Sequence, residues 1–386
     1  MTPSDSAASR GIALTDRQRI AWLRLIRSDN VGPATFRDLI NHFGSAERAL
    51  EALPDLASRG GSRGVRIASR SEAEAELDRA RAFGARFIGI GEPGYPSALR
   101  HIEAAPPLLA IKGDVSAATR PALGVVGSRN ASINGCKFAG AIARAVGQAG
   151  YAIVSGLARG IDAAAHRATL QTGTVAAMAG GLDQPYPPEN IPLLEEIVAT
   201  GGLAVSEMPF GWEPRARDFP RRNRLIAGMA LGVLVVEAAT RSGSLITARL
   251  AGEFGRIVFA VPGSPLDPRC EGTNGLLKQG AVLVTRPSDI LDTLSPLAGP
   301  DLFGASEPPR EEERQMSPAP DDSERGRIME SLGPSPVEID DIIRHTGIPA
   351  AVIYMVLLEL DIAGRLNRHP GGQVSLTAGA MDDLFN

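Results

Sequence analysis

Aromatic side chains make up only 4% of this 386-residue sequence, and cysteine occurs twice, as Cys136 and Cys270. Two cysteines are too few for the disulfide framework of a small secreted domain, so a reducing compartment, the cytoplasm, is the expectation. With five scattered histidines they also fail to make a zinc-ligand set, and neither a metal nor a cofactor is expected. No apolar run is long enough to span a bilayer. The N-terminal MTPSDSAASRG lacks the apolar stretch of a secretory signal. Gly-x4-Gly-Lys-Ser/Thr is missing, which disfavours a P-loop ATPase or helicase. Gly-x-Gly-x-x-Gly does not follow the first clear strand, which disfavours a dinucleotide fold.

Positive charge is also in short supply overall: 40 Lys and Arg stand against 44 Asp and Glu, for a net charge of −4. Taken alone, this argues against a nucleic-acid partner, but the distribution reverses the reading. Residues 296–322 carry a net −5 and residues 323–386 a net −4, which leaves +5 on residues 1–295. The acidity belongs to the tail.

What is present falls into blocks. Residues 1–14 are expected to be disordered, and 15–79 to form a small helical module. In that module Asn30-Val31-Gly32-Pro33 opens a helix whose Phe36, Leu39, Ile40 and Phe43 share one face. A helix pair with a Gly-containing turn is a common reader of backbone phosphate, and equally a common structural bundle. Residues 80–295 alternate short β-branched runs with amphipathic helices. The strands are Leu123–Val126, Ala152–Val154, Val175–Met178, Ala204–Val205, Gly232–Val236, Ile257–Val261 and Val282–Val284. This alternation predicts an α/β, Rossmann-like, mostly parallel sheet with helices on both faces. Such a sheet binds ligands at the carboxyl ends of its strands. Residues 296–322, rich in Pro and charge, read as a linker. Residues 323–380 read as three helices and a hairpin, the winged-helix pattern, with Pro336 at the first position of the second helix.

Several strand ends carry residues suited to anions. Gly127-Ser128-Arg129 follows the first strand, where a glycine admits close approach, a helix N-terminus follows, and arginine presents a planar fork. Ser155-Gly156 opens a loop with the same design, which runs to Gly160, with Asp162 as a candidate cap and His166 one turn on. His166 is read as a packing residue, since no partner for a catalytic base stands at a suitable spacing. Residues 214–224 hold five arginines and one acid, and include Phe219, Arg221, Arg222, Asn223 and Arg224 in what reads as a Pro-bounded loop. Arginines beside an aromatic are the parts of a single-strand site. The bland alternative is a core Phe219, with Arg221 or Arg224 paired to Glu237. Arg241-Ser242-Gly243-Ser244 again joins a cation, hydroxyls and glycine at a helix start. Pro262-Gly263-Ser264 and Gly272-Thr273-Asn274 complete the series. Each alone is explained by turn chemistry, whereas several on one sheet would line one rim.

Together these residues resemble the DprA/Smf family of DNA-processing proteins. The resemblance rests on Gly127-Ser128-Arg129, the run from Ser155-Gly156 to Asp162 with Ala165-His166, Phe219-Pro220-Arg221 with Arg222-Asn223-Arg224, Ser242-Gly243-Ser244, and Pro262-Gly263 with Gly272-Thr273-Asn274. The flanking helical and winged-helix modules match the longer members. The resemblance implies a non-catalytic cytoplasmic dimer that binds single-stranded DNA without sequence specificity and loads the RecA recombinase during natural transformation. It places Arg129, Phe219, Asn223, Arg224 and Arg241 in the DNA-contacting loops. Arg241 stands where the family often has lysine, a change that keeps the charge. The winged helix departs from a DNA reader: its third helix, Ile348–Leu360, contains no Lys or Arg and carries Glu359. It is expected to pack against protein, with Arg365 and Arg368 as accessory phosphate contacts at most. A second function class is a nucleotide-cleaving enzyme of the phosphoribohydrolase (lysine-decarboxylase-like) type, with Glu237 or Glu207 as catalytic acid. Against it, Gly180-Gly181 continues as Leu182-Asp183 and not as Gly-x-Gly-Thr.

Overall fold

A computed structural model describes residues 13–62, 64–299, 320–369 and 371–378. Almost all of residues 1–14, expected to be disordered, and most of the linker over 296–322, lie outside them. Contacts divide the chain into two compact units, one built on residues 75–308 and one joining residues 14–74 to the C-terminal segment from 309. No helix among the described residues is long and apolar enough to cross a membrane.

The chain begins with α1 (Asp16–Ile26), α2 (Pro33–Phe43), α3 (Ala46–Arg59) and α4 (Arg70–Ala82), and the division between units falls within α4. The central unit then runs β1 (Arg86–Gly89), β2 (Leu108–Gly113), α5 (Ser116–Thr119), β3 (Ala122–Gly127), α6 (Ile133–Gln148), β4 (Ala152–Ser155), α7 (Ile161–Ala168) and β5 (Thr174–Ala177). It continues with α8 (Ile191–Ala199), β6 (Leu203–Ser206), α9 (Asp218–Met229), β7 (Gly232–Val236), α10 (Gly243–Glu253), β8 (Ile257–Ala260), α11 (Glu271–Lys278), β9 (Val282–Leu283) and α12 (Pro287–Leu294).

The nine strands form one sheet in the order β1-β2-β6-β5-β4-β3-β7-β8-β9. β3 to β9 are parallel, while β1 pairs antiparallel with β2 and β2 antiparallel with β6. These two antiparallel pairings add an edge that the β/α alternation did not predict. Side chains on successive strand residues point to opposite faces. Accordingly Ala122 and Val126 of β3 join Val233 and Val235 of β7 under α9 and α10. Leu123 and Val125 join Leu234 and Val236 under α6, α7 and α12. Both layers are fully buried, which explains why the central strands read as unbroken apolar runs.

One correction concerns residues 218–229. The arginine-bearing stretch reads as a loop because of its proline, yet it forms helix α9. Pro220 sits in the first turn, where a missing N–H costs no hydrogen bond.

In the second unit the apolar face read for α2 is buried: Phe36, Leu39, Ile40 and Phe43 are in the core, and Trp22 packs edge-on to Phe36 at 5.0 Å. The C-terminal segment forms α13 (Asp322–Glu330), β10 (Val337–Glu338), α14 (Ile339–Thr346), α15 (Ala350–Ile362), β11 (Leu366–His369) and β12 (Gln373–Leu376), a winged helix. Pro336 does not start the second helix. It precedes β10, which pairs with β12, and the helix begins at Ile339.

The winged helix packs on the chain's own N-terminal helices. Gly60 lets the end of α3 approach α15 so closely that a Cβ would stand 2.1 Å from the Glu359 carbonyl oxygen. Thr35 donates to Asp361 at 2.8 Å, and Asn30 donates to the Ile362 carbonyl at 2.9 Å. Glu359, 1% exposed, is bridged by Arg325 at 3.0 Å. The wing arginines, expected to be accessory phosphate contacts at most, have internal partners. Arg368 bridges Asp361 and Asp38, each at 2.8 Å, and Arg365 donates to the Gly60 carbonyl at 3.3 Å.

Candidate nucleic-acid interface

β3 has β4 on one side and β7 on the other, so the sheet's connections reverse direction at its carboxyl end. Open α/β sheets place ligand crevices at such a switch point. A groove of about 590 Å³ opens there between the β3 loop, the start of α9 and the start of α10. Of the residues singled out from sequence, Gly127, Ser128, Arg129, Phe219, Asn223, Arg241, Ser242, Gly243 and Ser244 line it. Gly156 lines a smaller adjoining crevice together with Arg129, Phe219 and Tyr186. Ser155, Arg221 and Arg224 are at neither.

The reasons are specific. Ser155 is fully buried and donates to the Val125 carbonyl at 2.6 Å. Arg221 forms a two-pronged pair with Glu207 at 3.2 and 3.3 Å. Arg224, its side chain 12% exposed, bonds the same carboxylate and the Ala104 carbonyl. The internal partner is therefore Glu207, not Glu237, and two of the five clustered arginines are turned away from the groove. Arg222 is buried too, yet its side chain reaches the groove floor and donates to the Gly156 and Ala177 carbonyls, both at 2.6 Å. Gly156 exists for this contact, since a Cβ there would stand 2.5 Å from the guanidinium. Its glycine makes room for an internal cation.

Three helix N-termini that read alike in the sequence differ here. At α6, Ser132 caps the helix, and the Glu237 carboxylate accepts from the Ser132 amide at 2.8 Å and from its hydroxyl. Glu237 reaches this position with φ +53°, a conformation uncommon for a non-glycine residue. At the loop before α7, the Asp162 carboxylate accepts from the amides of Gly156 at 3.0 Å and Ala158 at 3.4 Å. Asp162 is thus not a helix cap. It fills the loop as a built-in anion, its carboxyl pushed up by burial and held back by Arg222. Of the three, only the α10 start has no carboxylate bonded to its amides among the described residues. Ser242 caps it, the Ser242 and Ser244 hydroxyls bond at 2.7 Å, and exposed Gly243 faces open space. Asn223 braces this end by donating to the Gly243 carbonyl at 3.2 Å.

Arg129 and Arg241 flank α10's positive end, and among the described residues neither has an ion-pair partner. The Arg129 guanidinium lies 5.3 Å from the centre of the half-buried Phe219 ring, and Phe219 meets Tyr186 edge-on at 5.5 Å. Tyr186 was not singled out from sequence. Its signal was an aromatic among prolines, Gln184-Pro185-Tyr186-Pro187-Pro188, in a chain with four tyrosines. The remaining loop is a closed clasp: Gly263 and Asn274 exchange two hydrogen bonds at 3.2 and 3.1 Å. Among the described residues no cluster of His, Cys, Asp and Glu could hold a metal.

His166 is completely buried, with Nδ1 2.7 Å from the Thr174 hydroxyl. Burial, with Arg222 and Arg167, pushes it down from 6.5 to about 3. The unfolded chain gains this proton near the ordinary value and the folded chain only near pH 3. The stability it contributes is full above pH 6.5 and is lost as pH falls through that window, at up to about 1.4 kcal/mol per pH unit. Denaturant titrations should show His166→Gln with a flatter dependence there than the parent; parallel curves would contradict the assignment.

Known proteins match this chain across its domains. A family model for DNA recombination-mediator protein A matches residues 86–295, more than half the chain. Models for a DprA-like N-terminal HHH domain and a DprA winged helix domain match residues 16–79 and 312–372. Protein Smf of Escherichia coli is 39% identical over 288 residues, covering 73% of this chain and 75% of that protein. Protein Smf of Synechocystis is 30% identical over 394 residues, covering 93% and 98%. Among solved structures, DNA processing protein A of Streptococcus pneumoniae matches with TM-score 0.59 and 36% identity over 73% of this chain and 98% of that one. DNA processing protein A of Helicobacter pylori, whose structure is described for its single-stranded DNA binding mode, matches with TM-score 0.51 and 28% identity over 56% and 97%. On its family models, its relatives and its fold, the chain belongs to the DprA/Smf family of DNA-processing proteins.

Proposed function

We propose that the groove at the β3–β7 switch point binds single-stranded DNA by its phosphates, without regard to base sequence. The bound strand is then passed to the RecA recombinase during DNA uptake, by a dimer that catalyses no reaction itself. The observation that carries the reading is the convergence of Arg129, Arg241 and the acid-free end of α10 on one groove, with Phe219 at its edge. Two unpaired guanidinium groups and a helix N-terminus suit linked phosphates better than a single one. The acids that a nucleotide-cleaving enzyme would need are spoken for: Glu237 holds the start of α6, and Glu207 holds Arg221 and Arg224. The relative from Helicobacter pylori, described for single-stranded DNA binding, supports the choice of ligand.

Affinity for oligo(dT) should fall with salt, with a log–log slope of about −0.7 per phosphate contacted. Arg129→Ala should weaken binding by roughly tenfold or more and make the slope shallower by about 0.7. Its melting temperature should change little, because Arg129 is exposed and, among the described residues, makes no ion pair or side-chain hydrogen bond, only a contact with the Phe219 ring. Unchanged affinity in this variant would remove the groove from the DNA path. Acceleration of RecA assembly on the strand, measured with the full chain, tests the second step.

A further inference from the structure

We infer that the crevice beyond Phe219 is a base-stacking subsite, with Tyr186 as its platform and Arg159 as its phosphate contact. The inference rests on the proposed DNA path and extends it past the groove described above. Arg129 and Phe219 line both the groove and the crevice, so a strand leaving one passes directly to the other. Tyr186 is 44% exposed, one of few large apolar side chains on this surface. Its ring is propped edge-on by Phe219, at 67° between planes. An edge-on neighbour supports a ring while leaving a face for a third flat group.

The loop is also held in place. Asn190, 3% exposed, donates to the Leu157 carbonyl at 2.8 Å and ties the turn after Tyr186 to the loop after β4. At the other end the Gly181 amide donates to the Trp212 carbonyl at 2.9 Å. A platform ordered beforehand loses little entropy when a base lands on it. Arg159 differs from Arg221 and Arg224 in its partner. Its ion pair with Glu189 spans 3.4 Å, and both side chains are more than half exposed. A pair so exposed is weak, so Arg159 can exchange Glu189 for a phosphate. Glu207, 5% exposed, permits no such exchange.

Stacking and charge leave different signatures. With the full-length protein and oligo(dT), Tyr186→Ala should weaken binding by roughly 5- to 150-fold with the salt slope unchanged, and Tyr186→Phe should restore it. Arg159→Ala should make the slope shallower by about 0.7. On an abasic oligonucleotide, which has phosphates but no bases, Tyr186→Ala and the parent should bind alike. Equal affinity of Tyr186→Ala and the parent for oligo(dT), or an equal loss on the abasic strand, overturns the subsite. If Arg129→Ala is impaired while Tyr186→Ala is not, the subsite fails and the groove stands. If Arg129→Ala is also unimpaired, the groove itself fails.

Discussion

Arg222→Ala is expected to destabilise the central unit by about 3–5 kcal/mol, the cost of removing a buried cation that hydrogen-bonds two buried carbonyls. It also removes the positive charge that favours the ionised form of nearby Asp162, which is 5% exposed and whose carboxylate holds the amides of Gly156 and Ala158. The substitution also strips the Gly156 and Ala177 carbonyls of their donor and empties the space that Gly156 leaves open. Burial pulls Arg222 down only to about 10, so it remains charged at neutral pH. In thermal unfolding the loss corresponds to a shift on the order of 10 °C. A double-mutant cycle with Asp162→Asn separates charge pairing from lost volume. The double variant should be more stable than the two single losses summed, by about 0.5–3 kcal/mol. Additive losses would show that Arg222 supports the loop by packing alone.

Gly243→Asp is expected to separate binding from stability. Gly243 is the first residue of α10 and is exposed, and a Cβ there meets nothing within 4 Å. An acid at a helix N-terminus stabilises the helix by about 0.3–1 kcal/mol, so the variant should unfold at the same temperature as the parent or slightly above it. The same carboxylate stands where the proposed path brings a phosphate. A like charge juxtaposed at an interface costs several kcal/mol, so single-strand affinity should fall by about 100-fold or more at low salt. The deficit should shrink as salt screens the repulsion. A variant that keeps the parent's affinity would place the strand elsewhere. The substitution copies what Glu237 and Asp162 already do at the neighbouring loops, where a carboxylate accepts from loop or helix-start amides.

Local pattern carried much of the fold. The runs that became β3 and β7 are apolar at every buried position because helices cover both faces of the sheet, and such runs are visible in one dimension. The edge strand β1 and its neighbour β2 do not show in the sequence, since Arg86-Phe87-Ile88-Gly89 is short and antiparallel pairing follows from no β/α alternation. Helix α9 was hidden by Pro220, a residue typical of loops and also tolerated in a first turn. The arginine cluster was legible as a cluster, but its directions were not. A run of positive charge looks the same whether it faces water or a buried glutamate, and Glu207 lies 14 and 17 residues before Arg221 and Arg224.

By itself the sequence determined the order of the parallel strands and of most of the helices between them, the family, and therefore the strand ends on which the candidate residues stand. Strand period and glycine placement are local properties, which is why they can be read from neighbours in the chain. Which strand ends remain open to a ligand was decided only by the tertiary structure. Asp162 occupies amides 4 and 6 residues back, while Glu237 reaches Ser132 across 105 residues of chain. Both carboxylates answer the same unsatisfied N–H groups that a phosphate would, and only the α10 end is left without one.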